Sequence, residues 1–435
     1  MRTKAEIFFD GMRNKKIAFI GVGVSHTDLI KMFCGNGLDV TVCDKKTAEQ
    51  MKEYAELSQA GAKFSLGDSY LDGMAEGAYD VIFRTPGMYY NNEILTKARA
   101  AGTAVTSEME VFFDLCPCPV YAVTGSDGKT TTTTLIAELL SAEGKTVHKG
   151  GNIGRALLPI IETIDENDAA VVELSSFQLI SMRSSPCIAA ITNITPNHLN
   201  VHKDMQEYID AKANLLLHQN AFSKAVLSLD SETVRELSPI VRGELAYFSR
   251  REKVENGAFL REDGMLCYNA HGEVSEVLDM HDIKIPGMHN VENYLTAIAV
   301  TWGMVSIDTV RRVAREFGGV EHRIEFVREL DGVKYYNSSI DSSPNRTINT
   351  LKVFDKVILI TGGKDKGIPY DELGPYLAQK TKHIVLIGKT GPIILESLNK
   401  HIEKTGEGKD ITYEFCTTYE EAVQAAKSVA TEGDV

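Results

Sequence analysis

The sequence predicts an α/β protein of three domains, each built on a mostly parallel sheet with flanking helices. Three observations predict it. Short apolar runs alternate with helix-patterned segments along the chain, as strand–helix–strand units require. Two of those runs end in glycine-rich turns that open helices, at 21–25 and at 125–128. A length of 435 residues leaves room for two or three separate cores.

The first stretch runs from about Lys15 to Ser107. Ile17–Ile20 is a strand that ends in Gly21-Val-Gly23-Val-Ser25, and a second strand, Val40–Cys43, leads into Asp44. This order resembles a mononucleotide-binding half, in which glycines admit a phosphate and the acid meets a ribose. The usual third glycine falls on His26, so the fingerprint is incomplete. It fits a dinucleotide oxidoreductase as well as a nucleotide-sugar site. Val81–Phe83 is a further strand, followed by Arg84-Thr85-Pro86-Gly87, a turn.

The second stretch follows Cys116-Pro-Cys-Pro119, whose prolines punctuate a linker. Val120–Val123 is a strand and Gly128–Ala142 a helix with Leu135, Leu139 and Leu140 on one face. Between them lies the strongest motif of the chain, Thr124-Gly125-Ser126-Asp127-Gly128-Lys129-Thr130-Thr131. Glycines let backbone amides approach phosphate oxygens, and the helix start adds unpaired N–H groups and partial positive charge. Gly125 to Thr131 are therefore candidates to hold a nucleotide triphosphate. Lys129 would reach the β and γ phosphates and Thr130 a Mg²⁺ ion. The common pattern has glycine at position 123, where this chain has Val123.

A triphosphate needs a divalent cation with oxygen ligands. Glu173 closes the strand Ala170–Glu173, where a carboxylate points into the ligand crevice. His198, in Thr195-Pro-Asn-His198, follows the strand Ala189–Asn193. Lys212 lies on a helix in Tyr208-Ile-Asp-Ala-Lys212 and, taken alone, reads as a solvated surface lysine. Residues from about Leu245 to Ile285 suggest a small β-rich addition. In the third stretch, Val333–Asn337, Val357–Thr361, His383–Ile387 and Thr412–Cys416 are strands. Tyr370–Lys380 and Tyr419–Ala430 are helices. The chain stops at Gly433-Asp434-Val435, where another strand is expected.

A formal net charge of −14 argues against nucleic acid, and any anionic substrate must be held by local charges. No apolar run is long enough to span a membrane, and the first residues lack the apolar core of a secretory signal. A cytoplasmic monomer is expected. The seven cysteines are scattered, with no second pair at zinc spacing, and read as reduced thiols.

These pieces, in this order, resemble the Mur ligases, and the match covers nearly the whole chain. Besides the phosphate loop it rests on Gly150-Gly-Asn-Ile-Gly154, Glu173-Leu-Ser-Ser-Phe-Gln178, Thr195-Pro-Asn-His198, Ala211-Lys212, Gly287-Met-His-Asn290 with Asn293, and Phe317-Gly-Gly-Val-Glu-His322-Arg323. The resemblance implies Rossmann-like first and third domains, at 1–107 and 320–435, around a P-loop ATPase-type domain at 108–319. It implies an ATP- and Mg²⁺-dependent ligase of peptidoglycan synthesis, and so of cell shape and division, that joins D-glutamate to UDP-N-acetylmuramoyl-L-alanine through an acyl phosphate.

The first domain would hold the UDP moiety with Gly23, Val24, Ser25, Asp44, Thr85 and Gly87, and Asn152 would meet the same substrate. Lys129, Glu173, His198 and Lys212 would be the catalytic set. Asn290, Asn293 and Arg323 would hold ATP. Thr130, Glu173 and His198 would ligate the metal, joined by Lys212 if carbamylated. Where the family carries Asn-Asp-Ser-Lys-Ala-Thr-Asn, this chain has Asn337-Ser-Ser-Ile-Asp-Ser-Ser-Pro344. Ser338 and Ile340 replace the Asp and Lys, so Asp341 or Ser342 would substitute, with Lys366 on the incoming glutamate. The family continues past the last residues here, so the expectation is a chain that binds nucleotide and ligates poorly. Two other readings stand beside it: another Mur-like ligase such as a folylpolyglutamate synthetase, and a nucleotide-binding module without ligase activity. A nicotinamide oxidoreductase has no use for Lys129 and Thr130.

Overall fold

The computed structural model describes residues 2–23, 26–199, 201–341, 343–365 and 367–435. Val24, Ser25, Ser342 and Lys366, expected on substrate, lie outside the described residues. The chain divides into two compact units, Met1–Ile283 with His289–Arg315, and Lys284–Met288 with Glu316–Val435.

The first unit carries two sheets. The smaller contains β1 (Lys16–Ile20), β2 (Asp39–Asp44), β3 (Lys63–Leu66), β4 (Val81–Arg84) and β5 (Ala104–Thr106) in the order β3-β2-β1-β4-β5, all parallel. The strand order reverses between β1 and β4, so their carboxyl ends flank the crevice where such sheets bind ligands. Those ends are the Gly21 turn and Arg84-Thr85. Phe19 of β1 stacks on Phe83 of β4 with ring centroids 4.7 Å apart, and Phe33 packs edge-on against both.

The larger sheet contains β6 (Val120–Thr124), β7 (Val147–Gly151), β8 (Ala169–Glu173), β9 (Ile188–Ile191), β10 (Lys224–Ser228), β11 (Glu244–Ser249), β12 (Asn256–Leu260), β13 (Met265–Ala270) and β14 (Glu273–Asp279). Its order is β14-β13-β12-β11-β10-β9-β6-β8-β7. The region read as a β-rich addition therefore continues this sheet, and only β12–β13 and β13–β14 pair antiparallel. On the helix Lys129–Ala142, Leu135, Leu139 and Leu140 are buried, as the helical spacing requires.

The second unit holds a hairpin of β15 (Glu325–Leu330) and β16 (Val333–Asn337), and a parallel sheet of β17 (Val357–Gly363), β18 (Thr381–Gly388) and β19 (Thr412–Cys416). The helix expected from Tyr370 begins at Gly374, because Pro375 favours the first turn of a helix, where its missing N–H costs nothing. The Lys334 N–H donates to Asp434 O and the Ile358 N–H to Val435 O. Among the described residues no helix is long and apolar enough to cross a membrane.

Candidate active site

The site forms at the carboxyl ends of β6 and β8, neighbours in the larger sheet. β6 runs into Gly125, whose φ of +152° suits glycine alone. A Cβ there would lie 1.9 Å from Thr192 Oγ1. Gly128 caps the following helix in a left-handed conformation, and a Cβ on it would lie 2.6 Å from Asn293 Oδ1. The loop thus carries no side chain at either end, 125 or 128, and opens a helix, the shape that admits phosphate oxygens.

Side chains fix this loop from several elements. Ser126 Oγ lies 3.0 Å from both Thr195 O and the Tyr208 hydroxyl, and the Asp127 N–H donates to Asn193 Oδ1. Thr192 Oγ1 donates to Asp127 O at 2.6 Å. Lys129 Nζ donates to Gly125 O and Ser126 O, so its ammonium sits over the loop itself. Thr132 Oγ1 donates to Asn293 Oδ1, and Asn293 Nδ2 donates to Asn290 Oδ1. Of the two asparagines expected to hold ATP, Asn293 meets the helix that the loop opens and Asn290 meets Asn293. Thr131 is buried beside them.

Glu173 ends β8 almost fully buried. Thr130 Oγ1 donates to its Oε2 at 2.6 Å, and Asn152 Nδ2 donates to its Oε1 at 2.7 Å. Gly151 lets the segment lie against β8, since a Cβ there would meet Glu173 O at 2.2 Å.

Lys212 is buried at 1% exposure, against the reading of an isolated surface lysine. Its Nζ donates to Gly125 O at 2.8 Å and to Thr124 Oγ1 at 3.2 Å, and lies 4.7 Å from the Tyr208 ring centre. Burial and the charge of Lys129 hold its amine well below the ordinary lysine range, against the opposing pull of Glu173 and Asp127. His198 is exposed and adopts a positive φ of 57°, with its ring edge-on to Phe177. Among the described residues no three His, Cys, Asp or Glu side chains gather as a metal cluster. A cation here would need a mixed set of hydroxyl, carboxylate and imidazole donors.

Beside Asn152 opens a cavity of about 310 Å³. Its lining joins His26, Arg84 and Pro86 of the smaller sheet's crevice to Gly151–Ala156 and Glu108. Of the predicted first-domain contacts, Asp44 accepts the N–H groups of Val22 and Lys46 and so braces the glycine turn. Thr85 packs beside Gly21, where a Cβ would lie 3.2 Å from its methyl group. Gly23 and Gly87 lie in the same two turns. His26 Nδ1 lies 2.9 Å from Gly21 O; a carbonyl only accepts, so Nδ1 carries the proton and donates. Burial lowers its pKa to about 4, so the ring is neutral at pH 7.

Arg84, which the sequence reading passed over, is 1% exposed. Its guanidinium donates to Phe177 O and Ser181 Oγ and tethers β4 to the segment after Glu173. A charged residue closing an apolar strand was the available signal. In the second unit, Asp341 Oδ2 accepts from Ser338 Oγ and Thr350 Oγ1, which engages one oxygen of the carboxylate expected to replace a family contact. Arg323 lies in the same unit, beside Val320. Cys116 and Cys118 are buried thiols with sulfurs 3.6 Å apart.

Comparison with known proteins adds to this geometry. The family model for the Mur ligase middle domain matches residues 123–301, and that for the Mur ligase glutamate ligase domain matches 322–435. The UDP-N-acetylmuramoylalanine–D-glutamate ligase of Acetivibrio thermocellus is 49% identical, over 100% of this chain and 93% of that protein. The protein of the same name from Ruminiclostridium cellulolyticum is 48% identical with the same coverage. Among solved structures, UDP-N-acetylmuramate-alanine ligase MurC of Thermotoga maritima superposes with a TM-score of 0.55 at 18% identity, covering 95% of this chain and 98% of that one. MurF of Acinetobacter baumannii gives 0.56 at 17% identity, covering 76% and 80%. At such identities the structural likeness speaks for the fold alone.

Proposed function

This chain belongs to the Mur ligase family, and from that premise we propose that it uses ATP to join D-glutamate to UDP-N-acetylmuramoyl-L-alanine. One observation carries the reading. A single buried carboxylate, Glu173, takes Thr130 of the phosphate-loop helix on one oxygen and Asn152 of the cavity wall on the other. The place for a triphosphate and the place for a second substrate therefore share an atom group.

The chemistry follows. A carboxylate is a poor electrophile. Its oxygen attacks the γ-phosphorus of ATP, the bond to ADP breaks, and an acyl phosphate forms. The amine of D-glutamate, having lost a proton, attacks the acyl carbon, and inorganic phosphate leaves with the electron pair of the broken C–O bond. The N–H groups of Ser126 and Asp127 are taken by Asn193, so the helix-start groups from Gly128 to Thr131 would meet the phosphates, and Lys129 would neutralise charge that grows during transfer. The hard oxygen donors of Thr130 and Glu173 fit Mg²⁺, which would neutralise phosphate charge when bound. His198 would complete that set.

A neutral Lys212 amine can add CO₂ and lose a proton to solvent, which converts a neutral buried group into a carbamate anion beside Thr124 and Gly125. The crevice of the smaller sheet would take the UDP moiety, with Gly23, Val24, Ser25, Asp44, Thr85 and Gly87, and Asn152 would reach the sugar-linked part. Asn290 and Asn293 would contact ATP at the helix start. For Arg323, Ser342 and Lys366 the support is the sequence motif. We accordingly assign the UDP, ATP and amino-acid functions to 1–107, 108–319 and 320–435, and place the enzyme in the cytoplasm, where ATP is available.

Phosphate release from ATP tests this. Release should require UDP-N-acetylmuramoyl-L-alanine and D-glutamate together. Release that ignores the UDP substrate, or that is driven equally by a folate acceptor and L-glutamate, would reject the assignment.

A further inference from the structure

A chain of four side chains lies outside the groups used above. The Tyr89 hydroxyl donates to Glu207 Oε1 at 2.5 Å. His202 Nδ1 lies 3.2 Å from Glu207 Oε2, and His202 Nε2 lies 2.8 Å from Ser176 Oγ. The polarity is consistent throughout. A carboxylate only accepts, so Nδ1 carries the proton and Nε2 accepts from the serine hydroxyl. The His202 side chain is completely buried and stacks on Phe177, with ring planes 4° apart.

The ends of the chain are informative. Tyr89 follows the Thr85-Pro-Gly87 turn, which closes through the Met88 N–H to Thr85 O. Ser176 stands three residues after Glu173, at the start of a short helix. Glu207 occupies the first turn of the helix Met205–Leu217, whose Tyr208 meets Ser126 of the phosphate loop and whose Lys212 meets Gly125. One end reports on the crevice of the smaller sheet, and the other two points report on the phosphate-loop crevice.

We infer that Tyr89, acting through Glu207, His202 and Ser176, is a positioning residue that couples occupancy of the UDP-substrate turn to the geometry of the nucleotide site. The inference rests on the function proposed above. Coupling of this kind is reciprocal: each ligand tightens the other by the same factor. The hydrogen bond from Tyr89 to Glu207 supplies a physical link between the two sites. Glu207 keeps His202 and the Lys203 N–H when the Tyr89 hydroxyl is lost, so the fold stays in place while the link is released.

The test is calorimetric titration of the full chain with an imido-bridged ATP analogue and Mg²⁺, with and without UDP-N-acetylmuramoyl-L-alanine. The wild type should bind the analogue more tightly in the presence of the UDP substrate, by a factor in the range of about 5 to 150. Tyr89→Phe should bring that factor to within about twofold of unity, while each ligand alone binds as before. Ser176→Ala should lower the factor too, and the double variant should lose no more than Tyr89→Phe alone, since both act in one chain. An undiminished factor in Tyr89→Phe, a wild type with no such factor, or additive losses would overturn the inference. Ligand-dependent phosphate release by the wild type, measured alongside, separates that result from failure of the proposed function.

Discussion

Lys212 Nζ donates to Gly125 O at 2.8 Å, so a buried amine sits directly under the first glycine of the phosphate loop. The pairing spans 87 positions of sequence and places the amine where a protonated lysine is costly. A neutral amine is the form that adds CO₂. The wild type should lose activity when dissolved CO₂ is removed and regain it on adding bicarbonate. Lys212→Met fills the same space without an amine. It should fold, fail to respond to bicarbonate, and turn over about 10²–10³-fold more slowly. Initial rates and a thermal melt decide the matter.

Gly125 and Gly128 are constrained by different neighbours, and the two should respond differently. At Gly125 the φ is one that L side chains rarely adopt, and a Cβ would collide with Thr192 Oγ1, with backbone of Asn193 close behind. Gly125→Ala should destabilise the protein by about 2–4 kcal/mol and abolish nucleotide binding. At Gly128 the left-handed φ of +80° also strains a side chain, but the atom in the way is the end of the Asn293 side chain, which can turn aside. Gly128→Ala should cost less stability but still weaken ATP binding, because it displaces Asn293. Denaturant melts with parallel nucleotide titrations compare them.

The Thr130–Glu173 contact gives a prediction on metal dependence. Thr130→Val keeps shape and removes the hydroxyl, leaving one oxygen of a buried carboxylate without its donor. The Mg²⁺ concentration for half-maximal rate should rise and kcat should fall, whereas Thr130→Ser should stay close to wild type. An unchanged Mg²⁺ profile in Thr130→Val would exclude the hydroxyl from that role.

The phosphate loop was legible in the sequence because its determinants are local: glycines, a lysine and threonines in one turn between a strand and a helix. Strands β16 and β19 were legible to the residue for a similar reason, since β-branched and aromatic runs bounded by turn residues define them. Lys212 was not. It shares the buried face of its helix with Tyr208, Leu215 and Leu216, but a lysine reads as solvated, and its partners Thr124 and Gly125 lie on another element. The placement of β11 to β14 was also hidden: each pairs with its neighbour in sequence, and nothing local shows that β11 docks on β10 of the main sheet instead of starting a separate one. His202 and Glu207 lie in a loop and a helix start that look solvated, and their partner Tyr89 comes from the other sheet's turn.

Glu108 supplies a pH-dependent prediction away from the phosphate loop. Its Oε1 accepts the N–H groups of Leu157 and Leu158, which ties the start of the helix Glu108–Leu115 to the end of the cavity-lining segment. Burial raises its pKa to about 7, outweighing those two donors, which favour the charged form. The folded state thus holds a proton that the unfolded chain releases nearer pH 4.5. The sign follows: this contribution is full below the unfolded pKa and is lost as pH rises through about 7. Glu108→Gln cannot titrate. Its stability relative to wild type should therefore improve between acidic pH and pH 8, by on the order of 1–3 kcal/mol. Denaturant melts of both proteins across that range measure the difference, and a difference that stays flat with pH would show that Glu108 keeps an ordinary carboxylate pKa.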